Sequence, residues 1–113
     1  MEYTTTDGRV ISAPIIADAD RFRTGTKYNI YIAGDNPYTV IKNEEITDGS
    51  SCVVVKESYG NVFVPFLADH YQTIYVIDYR YWEGKLVDFV KKNKTREVIL
   101  INNISMTRNS YLI

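Results

Sequence analysis

Ser58 closes an apolar run, "CVVVKES" at 52–58, and stands directly before "YGNVFVPFLADHY" at 59–71. A serine at such a junction has two uses. On the turn after a central strand, beside the start of the next helix, its hydroxyl is lifted above the sheet and can attack a carbonyl. The helix end then offers backbone N–H donors and positive potential to an oxyanion. Gly60 in the same turn permits close backbone approach and, with the Ser58 backbone N–H and an Asn from "INN", could form an oxyanion hole. The second use is an N-cap, which serine serves often. Pattern alone leans to the cap, because the neighbours do not spell the G-x-S-x-G elbow of ordinary α/β-hydrolases.

A serine nucleophile needs a base. The sequence has one histidine, His70. It falls near the end of the helix that Ser58 would begin, roughly 15 Å away at ~1.5 Å per helical residue. It reads as a surface histidine near a helix C-terminus, and Asp69 beside it shares the same geometry. Other polar groups follow the next two strand-like runs. Arg80 could hold an anionic group or developing negative charge, or it could pair with Asp78 or Glu57. Asn102 and Asn103 could give an amide N–H to an oxyanion, or simply end a strand. Tyr79, Tyr81 and Trp82 are either a sugar-stacking rim or loop packing. With one Cys, one His and no C-x-x-C or H-E-x-x-H, no metal site or cofactor is expected. Cys52 has no intrachain disulfide partner.

These groups need a scaffold. "CVVVKE" (52–57), "TIYVID" (73–78) and "REVILIN" (96–102) are continuous apolar runs, expected as strands buried on both faces. "NVFVPFLADHY" (61–71) spaces Val62, Phe63, Phe66 and Leu67 as a helix would, with Pro65 early enough for a first turn. "KLVDFVKKNK" (85–94) is amphipathic and ends in lysines that suit the negative end of a helix dipole. Residues 51–102 therefore read β-α-β-α-β, which predicts parallel strands joined by right-handed crossovers. Ligands of such sheets gather beyond the strands' carboxyl ends. Those ends carry Ser58, Asp78–Arg80 and Asn102–Asn103. Upstream, "KYNIYIAG" alternates and "GDNP" is a dense turn signal before "YTVIKN", so a β-hairpin is expected over 27–43. The expected division is an N-terminal β extension (1–50) and the β-α-β-α-β part (51–113).

Bulk properties narrow the classes. The 113 residues suit one small domain, 45% hydrophobic and 24% charged, with ten tyrosines. A net charge of −1 argues against nucleic acid as partner. No apolar run nears the ~20 residues of a membrane span, and the polar start "MEYTTTDGRV" is not a signal peptide. A response-regulator-like fold is disfavoured, since no acidic cluster ends the strands to hold Mg²⁺.

"VVVKESYGNVFVPFLADHYQTIYVIDYRYWEG" followed by "VILINNIS" resembles the C-terminal part of bacterial DHHW proteins. These are SGNH/GDSL-hydrolase-like proteins related to alginate O-acetylation factors. The resemblance spans about residues 27–105 and rests on the K-[DE]-S-[YF] strand end, the V-P-F-L segment and the D-x-R-Y loop. It implies a three-layer α/β/α, flavodoxin-like parallel sheet. It implies Ser58 as nucleophile, Arg80 as the arginine after the second strand, and Asn102 or Asn103 as the asparagine of the oxyanion hole. It implies hydrolysis or transfer of O-acyl groups, chiefly acetyl, on polysaccharide, with a cell-envelope or extracellular location. Glu57 replaces the more usual Asp. The family's catalytic Asp and His belong to an upstream D-H-H-W segment that has no counterpart in this sequence, so the resemblance implies a truncated site, inactive alone. A non-catalytic glycan- or protein-binding module is the alternative. A truncated sheet also predicts self-association through an exposed edge.

Overall fold

The computed structural model describes residues 1–103; the rest of the C-terminal run "NISMTRNSYLI" lies outside the described residues. Among the described residues six strands form one sheet: β1 (Glu2–Thr4), β2 (Val10–Ser12), β3 (Tyr38–Lys42), β4 (Ser51–Lys56), β5 (Thr73–Asp78) and β6 (Glu97–Ile101). Their order is β2-β1-β3-β5-β4-β6. β5, β4 and β6 are parallel, while β3, β1 and β2 add to β5 in antiparallel fashion. The fold is thus mixed α/β with an open sheet and few helices. The parallel sheet expected from the alternation accounts for half of the strands.

β4 is central, and its β-branched run follows from that position. Cys52 and Val54 point to one face, with Ile41, Ile74, Val76 and Val64. Val53 and Val55 point to the other, with Ile77 and Leu86. The helix α1 (Leu86–Asn93) covers this second face as its apolar stripe requires. It ends on Lys94 in a left-handed conformation, φ 54°, with Lys91 and Lys92 in its last turn.

Three sequence expectations need correction. First, 61–71 is not an α-helix. It continues a string of i→i+3 turns that starts with the 3-10 segment Ser58–Gly60 and includes the 3-10 segment Val64–Leu67. A three-residue repeat turns Asn61, Val64 and Leu67 inward, so Val64 is buried while Phe66 stays 73% exposed. Second, β6 is not buried. Among the described residues it occupies a sheet edge, and Val98 and Leu100 are largely exposed. Third, the hairpin over 27–43 does not form. Thr24–Ile30 is a 3-10 segment, and the place beside β3 is taken by β1.

Candidate active site

β3 runs antiparallel to β5, so its beginning lies at the carboxyl end of the parallel strands. This brings the loop before β3 to the residues after β4 and β5; the Asp78 N–H donates to the Pro37 carbonyl at 3.1 Å. Ile32, Ala33 and Gly34 precede that loop with φ of 46°, 57° and 81°. A β-branched residue there is a backbone outlier, worth about 1–3 kcal/mol of strain. Burial of Ile32 in the core holds it in place. The next residue, Asp35, is thereby set against Ser58.

Ser58 is not a cap. The capping oxygen is supplied by Glu57, whose carboxylate accepts from the Tyr59 N–H at 3.0 Å. The Ser58 hydroxyl is left to other partners. It donates to Asp35 Oδ2 at 2.8 Å and accepts from Arg80 Nη2 at 3.1 Å. Its carbonyl accepts from the Tyr28 hydroxyl at 2.7 Å. Tyr28 and Asp35 were not singled out by sequence. "GDNP" signals a turn wherever it stands, and nothing local says that the turn faces a serine.

Arg80 is held by Asp78 through two bonds, Nε to Oδ1 at 2.9 Å and Nη2 to Oδ2 at 2.7 Å. Those bonds hold its guanidinium more firmly protonated than an ordinary arginine, against the opposing effect of burial. Lys56, at the end of β4, reaches Asp78 at 3.2 Å and Asp35 at 3.5 Å. The Asn61 amide donates to Asp35 Oδ1 at 2.9 Å, while its own buried oxygen has no partner among the described residues. Burial acts to raise the Asp35 carboxyl. Hydrogen bonds from Ser58 and Asn61, with the cations Lys56 and Arg80, outweigh it and leave the group below the usual carboxylate value.

The remaining candidates fall as follows. The Gly60 N–H donates to the Glu57 carbonyl at 3.0 Å, and so is already engaged. A Cβ on Gly60 would meet Lys56 Cβ at 2.5 Å, so close packing is what glycine serves here. Asn103 donates to Glu57 Oε2 at 3.3 Å, and Asn102 is exposed. Trp82 packs edge-on against Phe89 of α1, and Tyr79 lies in the same cluster. Of the three aromatic residues only Tyr81 is well exposed, under the Arg80 guanidinium at 5.1 Å. Asp69 and His70 are exposed on the 3-10 side, and His70 is not a partner of the Ser58 hydroxyl. Among the described residues no group of His, Cys, Asp or Glu is arranged to hold a metal. No described helix is long and apolar enough to cross a membrane.

An acyl group brought to Ser58 would meet a hydroxyl held between a cation and a carboxylate, at the sheet edge where ligands of parallel strands bind. Comparisons with known proteins agree with this architecture. A family model described as "DHHW protein" matches residues 3–77. No curated protein matches the chain. Among solved structures, a DHHW family protein from Eubacterium siraeum is 29% identical, with a TM-score of 0.75 over 89% of this chain and 34% of its own. PatB1 from Bacillus cereus, solved with a sulfonyl adduct, is 20% identical, with a TM-score of 0.73 over 93% of this chain and 37% of its own. Another structure of the same PatB1 is 22% identical, with a TM-score of 0.71 over 93% of this chain and 35% of its own. The chain thus spans about a third of the length of the solved structures it matches. A family model covering well over half of the chain, with a solved member sharing its fold, shows that the chain belongs to the DHHW protein family.

Proposed function

We propose that the chain carries the serine-nucleophile part of an SGNH/GDSL-like site for O-acyl transfer or ester hydrolysis on cell-envelope polysaccharide. The observation that carries this is the Ser58 hydroxyl: it is not spent on capping, it sits at the carboxyl end of β4, and it is bonded to Arg80 and Asp35. On this reading β5, β4 and β6 correspond to the parallel strands of an SGNH-type three-layer sheet. The acyl-transfer step forms a bond from Ser58 Oγ to the ester carbonyl carbon and pushes the carbonyl electrons onto oxygen. Arg80 is the nearest cation for that charge, and the exposed Asn102 amide can donate to it. Collapse expels the alcohol and leaves an acyl-serine. A second sugar hydroxyl or water then takes the acyl group. In the family resemblance, an imidazole with its orienting Asp from the D-H-H-W segment moves the protons. Turnover of acetyl esters by the 113 residues alone is therefore expected to be very low.

PatB1 has been solved with a sulfonyl adduct. Sulfonyl fluorides capture nucleophilic side chains, and the same chemistry tests this chain. The 113-residue protein is treated with phenylmethylsulfonyl fluoride at pH 8 and read by intact mass. One adduct on Ser58, absent in Ser58→Ala, is the expected result. An adduct on another side chain with Ser58 left untouched means that Ser58 is no nucleophile here, and sinks the proposal.

A further inference from the structure

We propose that the cavity at the amino ends of β4 and β6 is a binding site for a phosphate monoester of a small polar molecule, such as a sugar phosphate. The cavity measures about 440 Å³, within the usual range of small-molecule sites. It lies between the turn before β4, the start of β6 and Tyr71 ahead of β5. The Ser58 cluster gathers at the other end of the same strands, roughly 17 Å away at ~3.3 Å per residue of β4. The two sites are thus separate, and this one stands whether or not Ser58 is a nucleophile.

The charges on its walls pick out the ligand. Asp48, Lys94, Arg96 and Glu97 all line it. Both carboxylates already hold donors from the protein. Asp48 accepts the Ser50 N–H at 2.8 Å, and hydrogen bonds from Ser50 hold its carboxyl below the usual carboxylate value. Glu97 accepts the Tyr71 hydroxyl, which that bond pushes up to about 12, so the phenol stays protonated and donating. The Lys94 and Arg96 side chains have no hydrogen bond or ion pair among the described residues. What the cavity offers a ligand is therefore two cations with their N–H donors unspent. A guanidinium meets a phosphate with two parallel bonds, and an ammonium adds a point charge. A phosphate monoester brings about −1.5 to −2 charge and three acceptor oxygens at pH 7, so it suits this pair better than a carboxylate does.

The two cations stand on anchored backbone. Lys94 closes α1 in the left-handed region, φ 54°. Thr95, buried between them, donates its N–H to the Val90 carbonyl at 3.3 Å. Arg96 leads directly into β6. The facing turn is tied as well: the Gly49 N–H donates to Gln72 Oε1 at 2.7 Å, and the Gln72 N–H donates to Ser50 Oγ at 3.1 Å. The volume left beyond a phosphate group is room for its organic part, with Tyr71 as an apolar wall.

The test is calorimetric titration of the 113-residue chain at low salt, with glucose 6-phosphate, inorganic phosphate and glucose as probes. Glucose 6-phosphate is expected to bind with a Kd of about 0.1–1 mM, inorganic phosphate more weakly, and glucose not at all. Lys94→Asn retains a residue that tolerates the left-handed backbone, and Arg96→Gln changes an exposed side chain, so both variants are expected to fold. Each is expected to weaken glucose 6-phosphate binding by ~10-fold or more, the loss of one charge-assisted contact. No heat of binding in the wild type at about 10 mM probe, well above that Kd, overturns the proposal. Equal affinity in the wild type and both variants also overturns it, with Arg80→Gln showing whether the anion sits at the Ser58 edge instead. Inorganic phosphate as tight as glucose 6-phosphate overturns it too, because the cavity would then hold nothing beyond the anion.

Discussion

Lys56 and Asp78 face each other as register partners at the ends of two parallel strands, ammonium to carboxylate at 3.2 Å, both out of solvent. The pair underlies the whole site, because Asp78 also grips Arg80 and Lys56 also reaches Asp35. Buried pairs of this kind add little net stability when complete, yet breaking one leaves an uncompensated charge at a cost of about 3–5 kcal/mol. Asp78→Asn is therefore expected to lower the unfolding free energy by that order, read from urea midpoints at constant slope. A loss under about 1 kcal/mol would mean that Asp35 alone can hold Lys56.

Gly60 gives a steric prediction. Its missing Cβ is replaced in space by the Cβ of Lys56, an atom anchored to β4 rather than to a flexible tip. Gly60→Ala must push the turn away from the strand. The expected cost is about 1–3 kcal/mol, with slower sulfonylation because Ser58 belongs to the same turn. A variant as stable as wild type would show that the turn yields without cost.

Arg80 touches Asp78 through two nitrogens and Ser58 through one of them. Lysine keeps the charge but cannot span these oxygens with a planar fork. Arg80→Lys is expected to slow sulfonylation of Ser58 by roughly 10–100-fold, with a change in melting temperature of only a few degrees. An unchanged rate would mean that charge alone suffices.

Asp35 also links stability to pH. Its folded value lies below the ordinary 3.8. The stabilisation it carries is thus complete above about pH 4 and is lost as pH falls through the lower folded value. Asp35→Asn has no such group to protonate. Wild type is expected to lose more melting temperature than Asp35→Asn between pH 5 and pH 3. Equal losses would assign the acid sensitivity to other carboxylates.

β4, β5 and α1 were legible in sequence because each carries one unambiguous pattern, a β-branched run or an amphipathic repeat. The 61–71 segment misled because Val62, Phe63, Phe66 and Leu67 fit a 3.6-residue period, whereas Pro65 and the tight turn at Gly60 enforce a period of three. β6 reads as a core strand in composition, and only the strand order makes it an edge. At the site, Ser58 and Arg80 stood out because they follow strands. Asp35 did not, since its approach depends on β3 being antiparallel, a property of the sheet rather than of any short segment. The choice between cap and nucleophile turned on Glu57, whose carboxylate takes the cap and leaves the neighbouring hydroxyl to the site.

The edge strand carries the last prediction. β6 pairs with β4 on one side only among the described strands. Its Val98 and Leu100 are 41% and 59% exposed, on the face that α1 covers further along the sheet. An unpaired strand with apolar side chains is a template for a second strand. The opposite edge, β2, has three residues and offers far less ladder. Association of two copies through β6 would give the exposed backbone groups partners and cover Leu100. Light scattering behind size exclusion is expected to show a concentration-dependent dimer for the wild-type chain, and a shift toward monomer for Leu100→Lys. The substitution places a charge on the edge at a side chain that is mostly exposed, although it stands beside its register partner Val55 on β4. A wild-type chain that stays monomeric at about 100 μM, well above the Kd of a micromolar contact, would remove β6 as a self-association surface.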